Sequence, residues 1–430
     1  MNNTKLSTQP YKGTVDMYPT EVLKQNFLFN IWKRVAKRYG YEEYDTPLLE
    51  DANLYRVKSG DEIANNQLFN FLDKGGREIA LRPEMTPSLA RVIAAKKNEL
   101  ILPIRWFNIG RFYRYEKPQK GRTREFVQLN IDIFGIPTTE AEIEIIQFVM
   151  SVMEELKAPK DTYDLKINNR YLLDYLFDNI LLLDTELKPK VARALDNYLK
   201  MSSNDFNSYL IELGLTEAQV SKTVEYLSWT IEDLKKIEDV SRGAKELIEL
   251  FDKANALSIS NISFAPYIVR GLAYYTGTVI EMYDIGGNDN PRALFGGGRY
   301  DDLLELFGEG KLPAFGLGWG EVTTMDYLNT YNLLPELNTE TKIFVPLLNE
   351  KFYKETSDLV TYLRSMGINT QMQLTEAKLA KQLKYADRKN IPWVVILGEE
   401  EVNKGVVQLK DMQKKESFEI KKEDVIGKIE

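Results

Sequence analysis

The 430-residue chain contains neither cysteine nor histidine. Without cysteine there is no disulfide, thiolate metal site or thiol nucleophile, and nothing points to an oxidising compartment. Without histidine a zinc–imidazole centre, a Ser-His-Asp triad and imidazole acid–base catalysis are all excluded. Long apolar runs are missing too. No stretch approaches the ~20 apolar residues of a membrane span, and the opening MNNTKLSTQPYKGTVDMYP lacks an apolar signal core. The expectation is a cytoplasmic protein with no membrane partner. Nor is there a global excess of positive charge: 56 basic residues stand against 64 acidic ones, a net charge of −8. A nucleic acid would have to be met by local patches. Chemistry is left to carboxylates, arginine, lysine, tyrosine, the backbone or a substrate's own groups.

What remains is an ordinary mixed composition, 43% hydrophobic and 28% charged, over a length that suits two to four domains. Residues 19–40 place Val22, Phe27, Leu28, Ile31, Trp32 and Val35 at helical spacing, with Gly40 as a stop. YEEYDTPLLE reads as a strand, EIALRPEMTPSLARVIAAKK as a strand entering a helix, and EAEIEIIQFVMSVMEEL as an amphipathic helix. From 168 to 255 strand-like runs give way to helical spacing, as in EAQVSKTVEYLSWTIEDLKKI, which reads as a helical insertion. Strand character then returns through VIEMYD, ALFGGGRY and PAFGLGWGEV. The expected organisation is an α+β domain on an antiparallel sheet built from 1–167 and 256–330. A linker at 331–340 follows, then a small α/β domain at 341–430. That last segment is the net-positive part of the chain. In it EAKLAKQLKYADRK sets Lys381, Lys384 and Arg388 three or four apart on one side of a helix. A solvated helix face accounts for that spacing as well as a binding face does.

The densest signal is RFYRYEKPQKGRTREFVQLNID, residues 111–132, which reads as two strands joined by a cationic, glycine-containing loop. On the second strand Val127, Leu129, Ile131 and Ile133 share one face, and Gln128, Asn130 and Asp132 the other. Arg114 and Glu116 of the first strand can share the polar face. A polar face turned to solvent explains any generic hairpin. Here an amide, a carboxylate and a guanidinium are complementary in donors and acceptors, the loop is strongly basic, and LRPEMT at 81–86 adds a carboxylate and a hydroxyl. Such a set suits a ligand with an amine, an anion and a polar ring, and guanidiniums clamp phosphates with paired hydrogen bonds. Arginines without a Walker glycine loop point to nucleotide chemistry done by electrostatics.

These segments resemble the histidyl-tRNA synthetase family of class II aminoacyl-tRNA synthetases over nearly the whole chain. KGTVDMYP is similar to the family's opening, LRPEMTPSLAR to its LRPE-T segment, and FYRYEKPQKGRTREFVQLNID to its second class-defining motif. VRGLAYYTG and FGGGRYDDL resemble its two histidine-specific signatures. Of these GGGRYD is weak alone, because a glycine-rich turn explains it more simply. The resemblance implies L-histidine, ATP with Mg2+, and tRNA(His) as partners, no structural metal, a C-terminal anticodon-binding domain, and a homodimer with its interface near the N-terminal helix and strand. It also implies that Glu84, Thr86 and Gln128 hold the amino group. Asp132 and Tyr275 would read the imidazole, with Tyr274 and Tyr300 lining the pocket. Arg114 and Arg270 would be the catalytic cations at the α-phosphate. Glu116, Arg122 and Arg124 would serve ATP, and Gln119, Lys120, Lys381, Lys384 and Arg388 the tRNA. The absence of histidine from a protein that charges histidine would let it be made during histidine shortage; many unrelated histidine-free chains of this length in the same proteome would remove that reason.

Three positions depart from the family pattern. Asp132 stands where the family usually has Glu. Ala273 stands where it has Asp. Thr323 stands where the third motif places the arginine that stacks on adenine. Trp319 offers a stacking surface or belongs to the core, and both readings are open. The alternative function is a regulatory paralog of the kind that serves ATP phosphoribosyltransferase, sensing histidine without charging RNA. The basic loop and the C-terminal domain weigh against it.

Overall fold

The computed structural model describes residues 6–56, 66–119, 121–269, 274–287, 293–337 and 339–429. It divides between Leu334 and Pro335 into two compact units. The strands of the first unit are β1 (Glu42–Glu43), β2 (Leu49–Asp51), β3 (Phe69–Leu72), β4 (Glu78–Leu81), β5 (Ile104–Tyr113), β6 (Glu125–Phe134), β7 (Tyr163–Asn169), β8 (Ile262–Phe264), β9 (Thr278–Asp284), β10 (Ala293–Arg299) and β11 (Ala314–Gly320). Eight of them form one sheet in the order β1-β5-β6-β11-β10-β9-β7-β8. Its six central strands are antiparallel, and β1 and β8 join the edges in parallel. A small antiparallel sheet, β2-β4-β3, lies apart from it.

The strand expected over YEEYDTPLLE is two strands. Pro47 carries no N–H for a ladder and restricts the residue before it, so pairing stops there. Glu42–Glu43 joins the large sheet and Leu49–Asp51 the small one.

One face of the large sheet is closed by the helices Pro19–Arg38 and Glu140–Glu155. Leu28, Trp32 and Val35 from the first and Ile145, Phe148, Val149 and Val152 from the second pack with Leu129, Ile131 and Ile133 of β6. Full burial of each such side chain stabilises by about 1.5–3 kcal/mol. The same apolar cluster runs on without a break into the helical stretch, through Leu172, Leu176, Val191, Phe206, Tyr226, Leu247 and Phe251. The odd-numbered residues of β6 thus spend one face on the core and leave the even-numbered face for other work.

The second unit is a five-stranded mixed sheet of β12 (Ile343–Val345), β13 (Thr370–Met372), β14 (Trp393–Ile396), β15 (Val407–Asp411) and β16 (Ser417–Ile420), in the order β13-β12-β14-β15-β16. Strand β12 runs parallel to β13 and β14; the remaining pairs are antiparallel. Both faces are covered. Ile343, Val345 and Val395 pack on Leu359, Val360 and Leu363 of the helix Tyr353–Ser365. Phe344, Val394 and Ile396 pack on Ala386 of the helix Leu379–Arg388. Among the described residues no helix is long and apolar enough to cross a membrane.

Candidate active site

The even-numbered residues of β6 become a floor because of what pairs beside them. Gln128, Asn130 and Asp132 stand opposite Gly320, Gly318 and Gly316 of β11. Gly318 and Gly316 in turn stand opposite Gly296 and Gly298 of β10. A row of three polar side chains is therefore followed by two strands that carry glycine opposite it. The glycines of FGGGRY lie within a strand, not in the turn that would most simply explain them. Proximity requires glycine on both strands: on β10 a Cβ on Gly298 would sit 2.6 Å from the Tyr275 ring, and on β11 one on Gly318 would sit 1.6 Å from Gln128 Nε2 and one on Gly316 2.0 Å from Asp132 Oδ1. The polar side chains lie flat across the glycines.

Over this floor opens a cavity of about 820 Å³, within the usual size of a small-molecule site. Its wall includes Glu84, Thr86, Arg114, Glu116, Gln119, Arg122, Gln128, Tyr274, Tyr275 and Tyr300. Asp132 lies just beneath and is buried. Two carboxylates are each held by a tyrosine. Tyr274 donates to Glu84 Oε2 at 2.8 Å, and Glu84 Oε1 has no partner among the described residues. Tyr300 donates to Asp132 Oδ1. The two tyrosine rings meet edge to face at 6.0 Å, and Tyr274 also packs on Tyr275 at 4.9 Å. Burial pushes the Asp132 carboxyl up to about 7, against the pull of the Tyr300 hydrogen bond. Burial and the neighbouring Glu84 raise the Tyr274 phenol, and burial and Asp132 raise that of Tyr300, so both remain protonated donors.

A buried ion pair at the end of β10 stands next to Tyr300 in the chain. Arg299 grips Glu142 with two hydrogen bonds of 2.8 and 2.5 Å and donates to the carbonyls of Ile136 and Thr138. Burial raises the Glu142 carboxyl, and Arg299 opposes that rise.

The cations expected at the nucleotide are distributed unevenly. Arg114 lies just beyond the end of β5, not within the strand; its Nε donates to the Pro83 carbonyl and its guanidinium lies 5.2 Å from the Phe126 ring centre. Arg122 pairs with Glu116 at 3.0 Å, and Gln119 and Arg122 close the loop by mutual backbone hydrogen bonds. Arg124 is not on the cavity wall. It donates to the Tyr11 hydroxyl at 2.7 Å and to the Glu116 carbonyl, and stacks on Tyr115 at 4.0 Å. These cation–π and hydrogen-bond contacts make it a brace for the loop. Arg82, beside Pro83, is likewise structural: it is buried against Asp45, Thr46 and Phe112. Arg270, Ala273 and Lys120 lie outside the described residues. Lys381, Lys384 and Arg388 belong to the second unit and are exposed on the helix Leu379–Arg388. The cavity wall also takes in Asp196, Leu199 and Lys200 from the helical stretch, and Tyr267, Glu281 and Tyr283 near β9. No motif marked these.

The family model described as histidyl-tRNA synthetase matches residues 13–319, and that of an anticodon-binding domain matches residues 342–430. The chain belongs to the histidyl-tRNA synthetase family. It is 38% identical to a histidine–tRNA ligase of Leptospira biflexa over 100% of this chain and 99% of that protein. It is 36% identical to a chloroplastic/mitochondrial histidine–tRNA ligase of Arabidopsis thaliana over 98% of this chain and 86% of that protein. Among solved structures the fold is similar to histidyl-tRNA synthetase from Nostoc sp. PCC 7120, with a TM-score of 0.84 at 23% identity over 99% of each chain. It is also similar to an ATP phosphoribosyltransferase regulatory subunit/histidyl-tRNA synthetase from Bacillus halodurans, with a TM-score of 0.74 at 21% identity over 91% of this chain and 98% of that one.

Within the family frame, the choice left open at Trp319 closes on the core. Its side chain is fully buried between Trp32 and Phe295, and Nε1 donates to Thr324 Oγ1 at 2.9 Å. It is no stacking surface for a synthetase substrate. Thr323 does reach the cavity, but its hydroxyl is turned to the carbonyls of Leu294 and Gly320.

Proposed function

We propose that this chain activates L-histidine with ATP and transfers the histidyl group to the 3′ end of tRNA(His). The observation that carries the reading is the side-by-side placement of two tyrosine-held carboxylates over one glycine floor. Glu84 offers Oε1, which has no partner among the described residues, to the α-ammonium. Asp132, once ionised, accepts an imidazole N–H, and the Tyr275 hydroxyl is the matching donor for the other ring nitrogen. A different side chain would leave these buried groups unpaired, which is how such a site discriminates strongly.

Activation needs no protein base. The substrate carboxylate is already ionised; its oxygen attacks the α-phosphorus of ATP, and pyrophosphate leaves with the bond it held. Arg114 stabilises the charge developing on the α-phosphate, and Arg270 of the VRGLAYY segment shares that role. Arg122, held by Glu116 on the cavity wall, would meet the polyphosphate, and Mg2+ would arrive with the nucleotide. A terminal ribose hydroxyl of the tRNA then attacks the acyl carbon, and AMP departs with the electron pair of the acyl–oxygen bond and takes up the hydroxyl proton on its phosphate. Gln119 and Lys120 of the basic loop would meet the acceptor end, and the exposed Lys381, Lys384 and Arg388 the anticodon arm. We assign the protein to the cytoplasm as a homodimer, with 168–255 an insertion in the catalytic domain.

Histidine-dependent exchange of pyrophosphate into ATP, followed by charging of a cognate transcript, tests this. Thr323, in place of a stacking arginine, favours the regulatory reading; histidine binding without any exchange would establish that reading and overturn ours.

A further inference from the structure

Gln128 is a side-chain amide facing a cation site, and an amide has two opposite ends. Its carbonyl oxygen attracts an ammonium, whereas its NH2 repels one. Something must decide which end faces the substrate. Asn130 is two residues along β6 and so shares the face of Gln128. It is 4% exposed, and its Oδ1 accepts from Gln128 Nε2 at 3.1 Å.

We infer that Asn130 is a positioning residue for the substrate amine: by taking up the Gln128 amide N–H, it leaves the Gln128 carbonyl oxygen to face the α-ammonium. The inference rests on the reading of the cavity as an amino-acid site. The surroundings support the arrangement on each side. On β11, Gly318 leaves room for the Gln128 amide, since a Cβ there would lie 1.6 Å from its nitrogen. On β5, the residue paired with Asn130 is Asn108, whose amide hydrogens go to the Tyr44 carbonyl at 2.8 Å and Asp45 Oδ1 at 3.0 Å. Asn108 therefore does not compete to donate to Asn130. The bound ammonium would meet two acceptors, Gln128 Oε1 and Glu84 Oε1, the latter without a partner among the described residues while the other Glu84 oxygen accepts from Tyr274.

The test compares L-histidine with 3-(imidazol-4-yl)propionate, which keeps the ring and carboxylate but lacks the amine. Binding of each to the full chain is measured by calorimetry for the wild type, Asn130→Leu and Asn130→Asp. Asn130→Leu should weaken histidine about tenfold, as the loss of one acceptor behind a charge-assisted hydrogen bond implies. It should leave the propionate within about twofold. Asn130→Asp keeps an acceptor for the Gln128 N–H and should recover most of the histidine affinity. Equal weakening of both ligands, no weakening of either, or failure of the aspartate to rescue overturns the inference. If the wild type binds no histidine, or binds the propionate as tightly, the amino-acid reading of the cavity falls instead, and the inference with it.

Discussion

Among the described residues the first unit, beside many exposed ion pairs, seals one away from water, and the second unit seals none. In the first, a guanidinium and a carboxylate, Arg299 and Glu142, are sealed together with side-chain exposures of 3% and 1%. In the second, the ion pairs Lys351–Glu399, Lys354–Asp358 and Lys404–Glu419 are all formed by side chains at least half exposed. The first unit also leaves one sheet face to a cavity, whereas the second covers both faces with helices. Reading a small amino acid requires fixed, dehydrated polar groups on a rigid floor. Reading an RNA backbone requires cations in water, where they can follow phosphates. The contrast predicts that substitutions in the first unit act through geometry and burial, and those in the second through salt-dependent attraction.

The sharpest way to break this comparison is to cut one ion pair in each unit. Glu142→Ala leaves Arg299 charged and buried, which should cost about 3–5 kcal/mol. Asp358→Ala frees a solvated lysine and should leave thermal unfolding unmoved. Calorimetric or circular-dichroism melting of both variants checks it; similar shifts would mean that the burial difference has no energetic meaning.

Next comes the glycine floor. Gly318→Ala places a methyl group where the Gln128 amide lies, and the nearest atoms it meets belong to that side chain rather than to the backbone. Gln128 must leave Asn130, so histidine-dependent exchange should fall by about 100-fold, equivalent to ~2.7 kcal/mol. The melting temperature should change little, because what moves is a side-chain end and not the fold. Loss of folding in proportion to activity would contradict this.

Much of the hairpin behind this site is legible in the sequence. Alternation along 125–134 and the polar loop before it define β5 and β6 locally, and their odd and even faces follow from strand geometry alone. The partner glycines are not legible in the same way: that Gly318 stands beside Asn130 depends on pairing between segments almost two hundred residues apart. Arg299 and Glu142 are separated by 157 positions and carry no common pattern. Among the loop cations, Arg122 and Arg124 look alike in sequence; only the positions of Tyr11 and Tyr115 send the second away from the cavity. The motif position of Trp319 alone allows two roles, and its contacts with Trp32 and Phe295 leave only the core. Local periodicity specifies elements, while the site is assembled from long-range register.

In the second unit the corresponding perturbation is electrostatic. Replacing Lys381, Lys384 and Arg388 together with glutamine should raise the KM for tRNA about tenfold and lower the salt dependence of binding by roughly one per lost phosphate contact. Histidine-dependent exchange, which involves no RNA, should be unaffected. A fall in exchange would mean that the two units are not functionally separable in the way their charges suggest.

The smallest effect should come from Tyr300→Phe, and it is a shift in pH rather than a loss. Burial lifts the Asp132 carboxyl to about 7, and the Tyr300 hydroxyl opposes that lift. The ionised carboxylate is the form that accepts an imidazole N–H. The KM for histidine should therefore rise as pH falls through about 7, and in Tyr300→Phe that rise should begin at higher pH, by up to about one unit. With no cysteine or histidine in the chain, few other side chains titrate in that range. The sign for folding follows from the same group. Between the ordinary carboxylate value near 4 and about 7, the folded state holds a proton that the unfolded chain has released, so stability declines as pH rises across that window and is flat above it. Tyr300→Phe should extend the decline upward. A KM–pH profile that does not move on removing the hydroxyl would show that Asp132 is ionised by something other than its tyrosine.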